Sequence, residues 1–243
     1  MVGPLDRLVA GGHAGHHRRL RRAARLGHRR HRRPDPEAER ATFDATAISL
    51  AGLAFGQLAA AVLGVLIISS EYTTGAIRST LVAAPRRFRL VVAKALVVLS
   101  VVLVTGTLTA FVAFLVGQAL LAPAGLDTSL GEPGVLRAVF GGGLYLAASA
   151  LFGLALGTLL RQTAGAIVAA VAGLLVVPPL TTLLPGDWGQ AVTKWFTSNP
   201  GQQITVVQQA GDVASPWAGY LAFCLWGVII LVAGVVLMQR RDA

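Results

Sequence analysis

The sequence is short of almost everything a soluble enzyme uses. Only 13% of its 243 residues are charged, against roughly 25% in an ordinary soluble domain. It has one cysteine, Cys224. That excludes an intrachain disulfide and a cysteine-based metal cluster, and inside an apolar run a lone thiol acts as a small hydrophobe. It has two lysines, Lys94 after alanine and Lys194 after threonine. Neither completes the Gly-Lys-Ser/Thr of a phosphate-holding Walker loop, so ATP has no such site here. There is no HExxH pattern, no nucleophile elbow and no carboxylate pair within an apolar segment. An intramembrane enzyme needs ionisable groups at membrane depth. No catalytic residue, metal ligand or cofactor site is therefore assigned. A secretory signal peptide has an apolar core of roughly 7–15 residues, and none occurs before residue 46.

What the chain has instead is hydrophobic length. It is 54% hydrophobic, with a mean hydropathy of +0.66. Five segments meet the need for about 20 apolar residues per bilayer crossing: Thr46–Ile68, Ala95–Leu121, Ala138–Leu160, Ala164–Leu184 and Trp217–Met238. None contains Asp, Glu, Lys or Arg. They are apolar on all sides and lack the period-two alternation of a membrane barrel, so helices are expected. The fold class is an all-α integral membrane protein with five transmembrane helices.

Charge is unevenly placed. Residues 1–40 carry eleven arginines, four acids and all five histidines, so +7 of the net +10 lies there. The pI of 11.3 thus belongs to a basic tail, residues 1–42. Such a tail binds DNA only weakly and with steep salt dependence, and no specific nucleic-acid partner is expected. Placing residues 69–94 in the cytoplasm gives that side Arg78, Arg86, Arg87, Arg89, Lys94, Arg161, Arg240 and Arg241, and leaves Arg137 and Lys194 outside. The positive-inside rule supports this orientation, with a cytoplasmic C-terminus. Five crossings then put the arginine-rich tail outside. Two explanations stand: a genuine tail with a further crossing supplied elsewhere, or a frameshift product replacing a lost first helix. The second is preferred. It expects the upstream DNA, in another frame, to encode about 20 apolar residues.

The polar stretch "IISSEYTTGAIRSTLVAAPRRFRL", residues 67–90, interrupts two apolar runs. Residues 70–84 read as a short helix. Ser69 or Ser70 caps it and Glu71 complements its positive end. Ile77 and Leu81 share a face, Gly75 permits close approach, and Pro85 stops it. Arg86, Arg87 and Arg89 are expected among headgroups, with Lys94 snorkelling to the same surface. An ordinary basic loop would have no need of the apolar pair. A rigid surface helix with an apolar side and flanking charges is a docking peg.

This stretch resembles the signature of bacterial type-2 ABC transporter permeases, E-Y-x-x-G-x-x-R-x-x-L followed by P-x-R and A-K. Glu71, Tyr72, Gly75, Arg78, Leu81, Pro85, Arg87, Ala93 and Lys94 fill it. The resemblance extends over roughly residues 43–243. It implies a six-helix permease with its first helix missing here, and a coupling helix that docks on a separate ATPase subunit. It also implies a second permease copy, ATP and magnesium bound by the partner, and a bacterial cell membrane location. "WFTSNPGQQ" departs in detail from the family's aromatic-Pro-Ser-Asn-Ala-Gly turn and is given no role. The rival reading is a membrane anchor or assembly protein with no transport path.

Within the apolar runs, Gln57, Thr105, Thr107, Thr109 and Gln118 are candidates for a translocation path or for helix contacts. For Gln57 an interhelix hydrogen bond is the favoured role. Gly52–Gly56 and Gly153–Gly157 are GxxxG pairs suited to close helix packing, and Gly141–Gly143 add close approach or flexibility. Residues 122–137 read as a turn-rich connection. Residues 185–216, with Trp188, Trp195 and Phe196, read as an interfacial or re-entrant element, or as a plain loop.

Overall fold

The computed structural model describes residues 43–73, 87–209 and 211–241. The architecture below is that of the unit Asp44–Ala243. Helix α1 (Ala45–Ser49) is followed by α2 (Leu53–Thr73), α3 (Arg87–Leu121), α4 (Val135–Leu160) and α5 (Thr163–Thr181). Two short helices, α6 (Gly186–Trp195) and α7 (Ser198–Gln202), precede α8 (Pro216–Arg241). Among the described residues there is no strand. Five helices, α2, α3, α4, α5 and α8, are long and apolar enough to cross a membrane. The protein is an all-α, membrane-embedded chain. Its outer surface agrees: Val97, Val101, Val104, Leu108, Val112 and Leu115 form an exposed stripe down α3, as suits a hydrocarbon surrounding.

The short helix expected over 70–84 has no start of its own at Ser69 or Ser70: both lie inside the first crossing, which continues through Glu71 and Tyr72 to Thr73. Two expected spans also shift. The first does not run unbroken from Thr46. Asp44 caps α1, the chain turns at Leu50–Gly52 through tight bonds such as Leu53 N–H to Leu50 O, and the crossing begins at Leu53. The second starts at Arg87, not near Ala95. After Pro85 nothing breaks the helix, so it gains a full two turns. At 35 residues it is about 52 Å long, well beyond a hydrocarbon core of about 30 Å.

Helix α4 is the hub. Of its most apolar window 78% is buried, against 22–44% for the other four spans. Its glycines explain why. A Cβ on Gly153 would lie 2.0 Å from the Ala61 carbonyl oxygen, and one on Gly64 2.0 Å from that of Ala150. Backbones of α2 and α4 therefore touch, as small residues permit in lipid. Gly157 continues the seam against Ile68 and Val65. The three glycines 141–143 each meet a different neighbour: Ile204, then Ala110 with Leu53, then Thr107. The other expected pair fails. Gly52 has nothing within 4 Å, because it sits in the turn before α2.

These contacts set the directions. Gly56 meets Leu146 and Ala61 meets Gly153, so α2 and α4 run parallel. Gly227 meets Leu151 and Gly234 meets Leu159, so α8 runs with them. Helix α3 is antiparallel, with Lys94 beside Ile67 and Gly117 beside Ser49. Arg89, Lys94, Arg161 and Arg240 consequently share one end of the bundle, here the basic end. Asp127, Glu132, Arg137, Asp187, Lys194 and Asp212 belong to the far end.

Candidate functional site

At the far end, residues 186–195 lie on the surface as a helix and residues 197–204 fold inward. Helix α6 is amphipathic, with Trp188, Ala191, Val192 and Trp195 spaced along one face. Asp187 in its first turn and Lys194 in its last complement its dipole. Trp226 of α8 donates its indole N–H to Trp195 O at 2.9 Å, and its ring meets Phe196 edge-on at 5.3 Å. The chain then reverses at Thr197, whose φ of 46° and ψ of −122° are costly for a residue with a branched Cβ.

What receives the reversed chain is a defect in α5. Pro178 has no N–H, so the Leu174 carbonyl four residues earlier loses its helical partner. The helix widens there into a π-turn, Ala172–Val176, and the Ser198 hydroxyl donates to Leu174 O at 3.3 Å. The Asn199 amide donates to Pro178 O at 3.4 Å and to the Thr181 hydroxyl at 3.0 Å. Leu174 lies seven residues before Thr181, so Ser198 reaches about 10 Å along the axis below the end of α5. Gly201 and Gly219 admit this wedge: added Cβ atoms would strike Phe223 at 2.6 Å and Pro200 O at 2.2 Å. The re-entrant alternative thus describes residues 197–205, while α6 stays at the surface. "WFTSNPGQQ", given no role from sequence, is the wedge itself.

The wedge ends on a buried polar triad. Tyr145 of α4 donates its hydroxyl to Gln57 Oε1 of α2 and accepts from Gln202 Nε2 at 3.2 Å. Gln57 and Tyr145 are 1% and 2% exposed. Tyr145 lies ten residues into α4, about 15 Å along its axis. Two cavities flank Gln202. One of about 390 Å³ is lined by α6, the wedge and Asp212. One of about 170 Å³ lies between the start of α2, Tyr145 and Thr205.

The other sequence candidates separate. Gln118 is a helix contact: its amide donates to Ser49 Oγ at 3.0 Å and Ala45 O at 3.4 Å, and its Oε1 accepts from Thr128 N–H at 2.7 Å. Thr105 and Thr109 face outward and bond to carbonyls of their own helix, so they join neither Gln57 nor Gln118. Lys94 reaches across to the neighbouring helix. It is half-buried and donates to Ile67 O of α2 at 3.1 Å. Arg89 is exposed near the start of α3. Arg87 opens that helix; its side chain, and those of Glu71 and Tyr72, lie outside the described residues, as do Gly75, Arg78, Leu81 and Arg86 altogether. Among the described residues no group of three or more His, Cys, Asp or Glu is placed to hold a metal. No protein-family profile, curated protein or solved structure matches the chain.

Proposed function

We propose that this chain is the membrane-spanning permease subunit of an ATP-driven exporter, with ATP and magnesium bound by a separate ATPase subunit. The sequence pattern from Glu71 to Lys94 carries the reading. Its two roots are the adjacent antiparallel helices α2 and α3, braced by the Lys94–Ile67 bond. That bond lies six residues before Thr73 and seven after Arg87, about 10 Å from either helix end. A push on the connection at 74–86 therefore reaches two helices that both pack on the hub helix α4. The touching backbones of α2 and α4 pass it to the hub helix. Nucleotide drives such a movement only through different affinity for two arrangements of the bundle.

The basic end faces the cytoplasm of a bacterial cell by the positive-inside rule, which leaves the C-terminus cytoplasmic and the wedge outside. The working unit pairs this chain with a second permease copy and two ATPase subunits. The test is reconstitution with a candidate ATPase subunit, sought as a Walker-loop protein encoded in the adjoining reading frames. The permease alters that subunit's hydrolysis rate, and Glu71→Lys abolishes the effect while inserting normally. An unchanged rate response in Glu71→Lys contradicts the assignment.

A further inference from the structure

We propose that one acyl chain of a membrane phospholipid lies in the apolar groove between α6 and α8, where it completes the packing of the two helices. The inference rests on the membrane-embedded fold alone and holds with or without an ATPase at the basic end.

The groove, of about 310 Å³, is formed by Ala191, Val192 and Trp195 of α6, the following Phe196, and Trp226 of α8. Its walls are aliphatic and aromatic. The Trp226 indole N–H already donates to Trp195 O at 2.9 Å. Water is a poor occupant, since a buried water takes about 2–4 polar partners. Bonds on the opposite face of α6 hold the helix in place: Thr193 Oγ1 donates to Thr181 O at 2.9 Å, and Lys194 pairs with Asp212 at 2.5 Å.

The orientation of α6 tells which medium the groove faces. A helix at a water boundary turns its polar face outward. Here Gln190, Thr193 and Lys194 line the cavity against the wedge, while Ala191 and Trp195 are exposed on the other side. Hydrocarbon suits that arrangement and water does not. Depth agrees. Trp226 lies ten residues into the crossing Pro216–Met238, about 15 Å along its axis. Leu225 and Ile229 beside it are 59% and 51% exposed, so the bilayer-facing surface of α8 runs up to the groove. A partner helix, about 10 Å across, does not fit a space of this volume; a stretch of a single chain does. Its gain there is dispersion contact with the Trp195, Phe196 and Trp226 rings, not escape from water.

The test is tryptophan quenching of the full chain in proteoliposomes. Trp188→Phe and Trp217→Phe leave only the two groove indoles. The quenchers are phospholipid brominated midway along one chain, and aqueous iodide. The brominated lipid removes at least about half of the emission, because its bromines reach contact distance, and iodide removes little. Ala191→Phe puts a ring where the chain lies and lowers the lipid quenching at least about two-fold, with iodide still excluded. Should Ala191→Phe not insert, Ala191→Leu, which fills less of the groove, lowers it in the same direction. Strong iodide quenching makes the groove aqueous and overturns the proposal. Absence of lipid quenching means that protein, a second copy or another partner, covers the groove, and overturns it as well. Lipid quenching unmoved by both variants is the ordinary contact of an exposed indole with the bilayer, and overturns a held chain.

Discussion

The seam between α2 and α4 makes the sharpest quantitative prediction. Replacing Gly153 by alanine puts a methyl 2.0 Å from Ala61 O, where ordinary contact begins near 3.4 Å. The obstacle is backbone, so no side chain can turn away, and the helices must part by about 1.4 Å. Overpacking of this kind costs about 1–3 kcal/mol, and for a chain of this size about 2–4 °C of melting temperature accompanies each kcal/mol. Gly153→Ala should therefore melt roughly 2–12 °C lower. Gly64→Ala meets Ala150 O in the same way and should behave alike. One separation relieves both clashes, so the double variant costs clearly less than the sum of the singles. Gly165→Ala is the control, since its methyl meets only the flexible end of Gln162 at 3.4 Å. Cys224, the sole thiol and half-buried in α8, reports unfolding through a thiol-reactive dye in detergent. A Gly153→Ala that melts with the wild type, or a fully additive double variant, would refute the touching-backbone seam.

Other substitutions probe the wedge and the far end. Thr197→Gly removes the strained φ of 46° and a buried hydroxyl without a hydrogen-bond partner, and should raise stability by about 1–3 kcal/mol in the same melt. Tyr145→Phe leaves Gln57 Oε1 and the Gln202 amide without their shared partner, and should cost about 1–3 kcal/mol. Gln118→Leu loses three hydrogen bonds that tie α1 and the 122–134 connection to α3. At about 0.5–1.5 kcal/mol each, its melt should fall further than that of Thr105→Val or Thr109→Val, which touch only their own helix.

The spans were legible because lipid leaves the sequence little choice. A run without charge and long enough to cross must close its own backbone hydrogen bonds, and that fixes helix. The glycine spacing at 153 and 157 likewise forecast a close seam. The break at Leu50–Gly52 was hidden, since "SLAGLAF" has no proline or charge to mark it and is fixed by packing of α1 on α3. Tyr145 looked like one more apolar residue of α4; only the fold brings Gln57 and Gln202 to its hydroxyl. The wedge had a signal that went unread. Pro178–Pro179 inside a crossing frees a carbonyl that must find a donor, and "TSNPGQQ" supplies hydroxyl and amide donors some twenty residues later. Polar, proline-bearing stretches look like loops, which is why the plain-loop reading stood level with the re-entrant one.

The connection at 74–86 remains the decisive place to measure. A cysteine at Ala76, in the Cys224→Ala background, is labelled with an impermeant reagent in inside-out and right-side-out vesicles, with and without the ATPase subunit. For a coupling element, Ala76→Cys reacts only in inside-out vesicles and is protected once the ATPase is bound. Labelling from the opposite side, or a rate indifferent to the ATPase, would contradict a role in coupling.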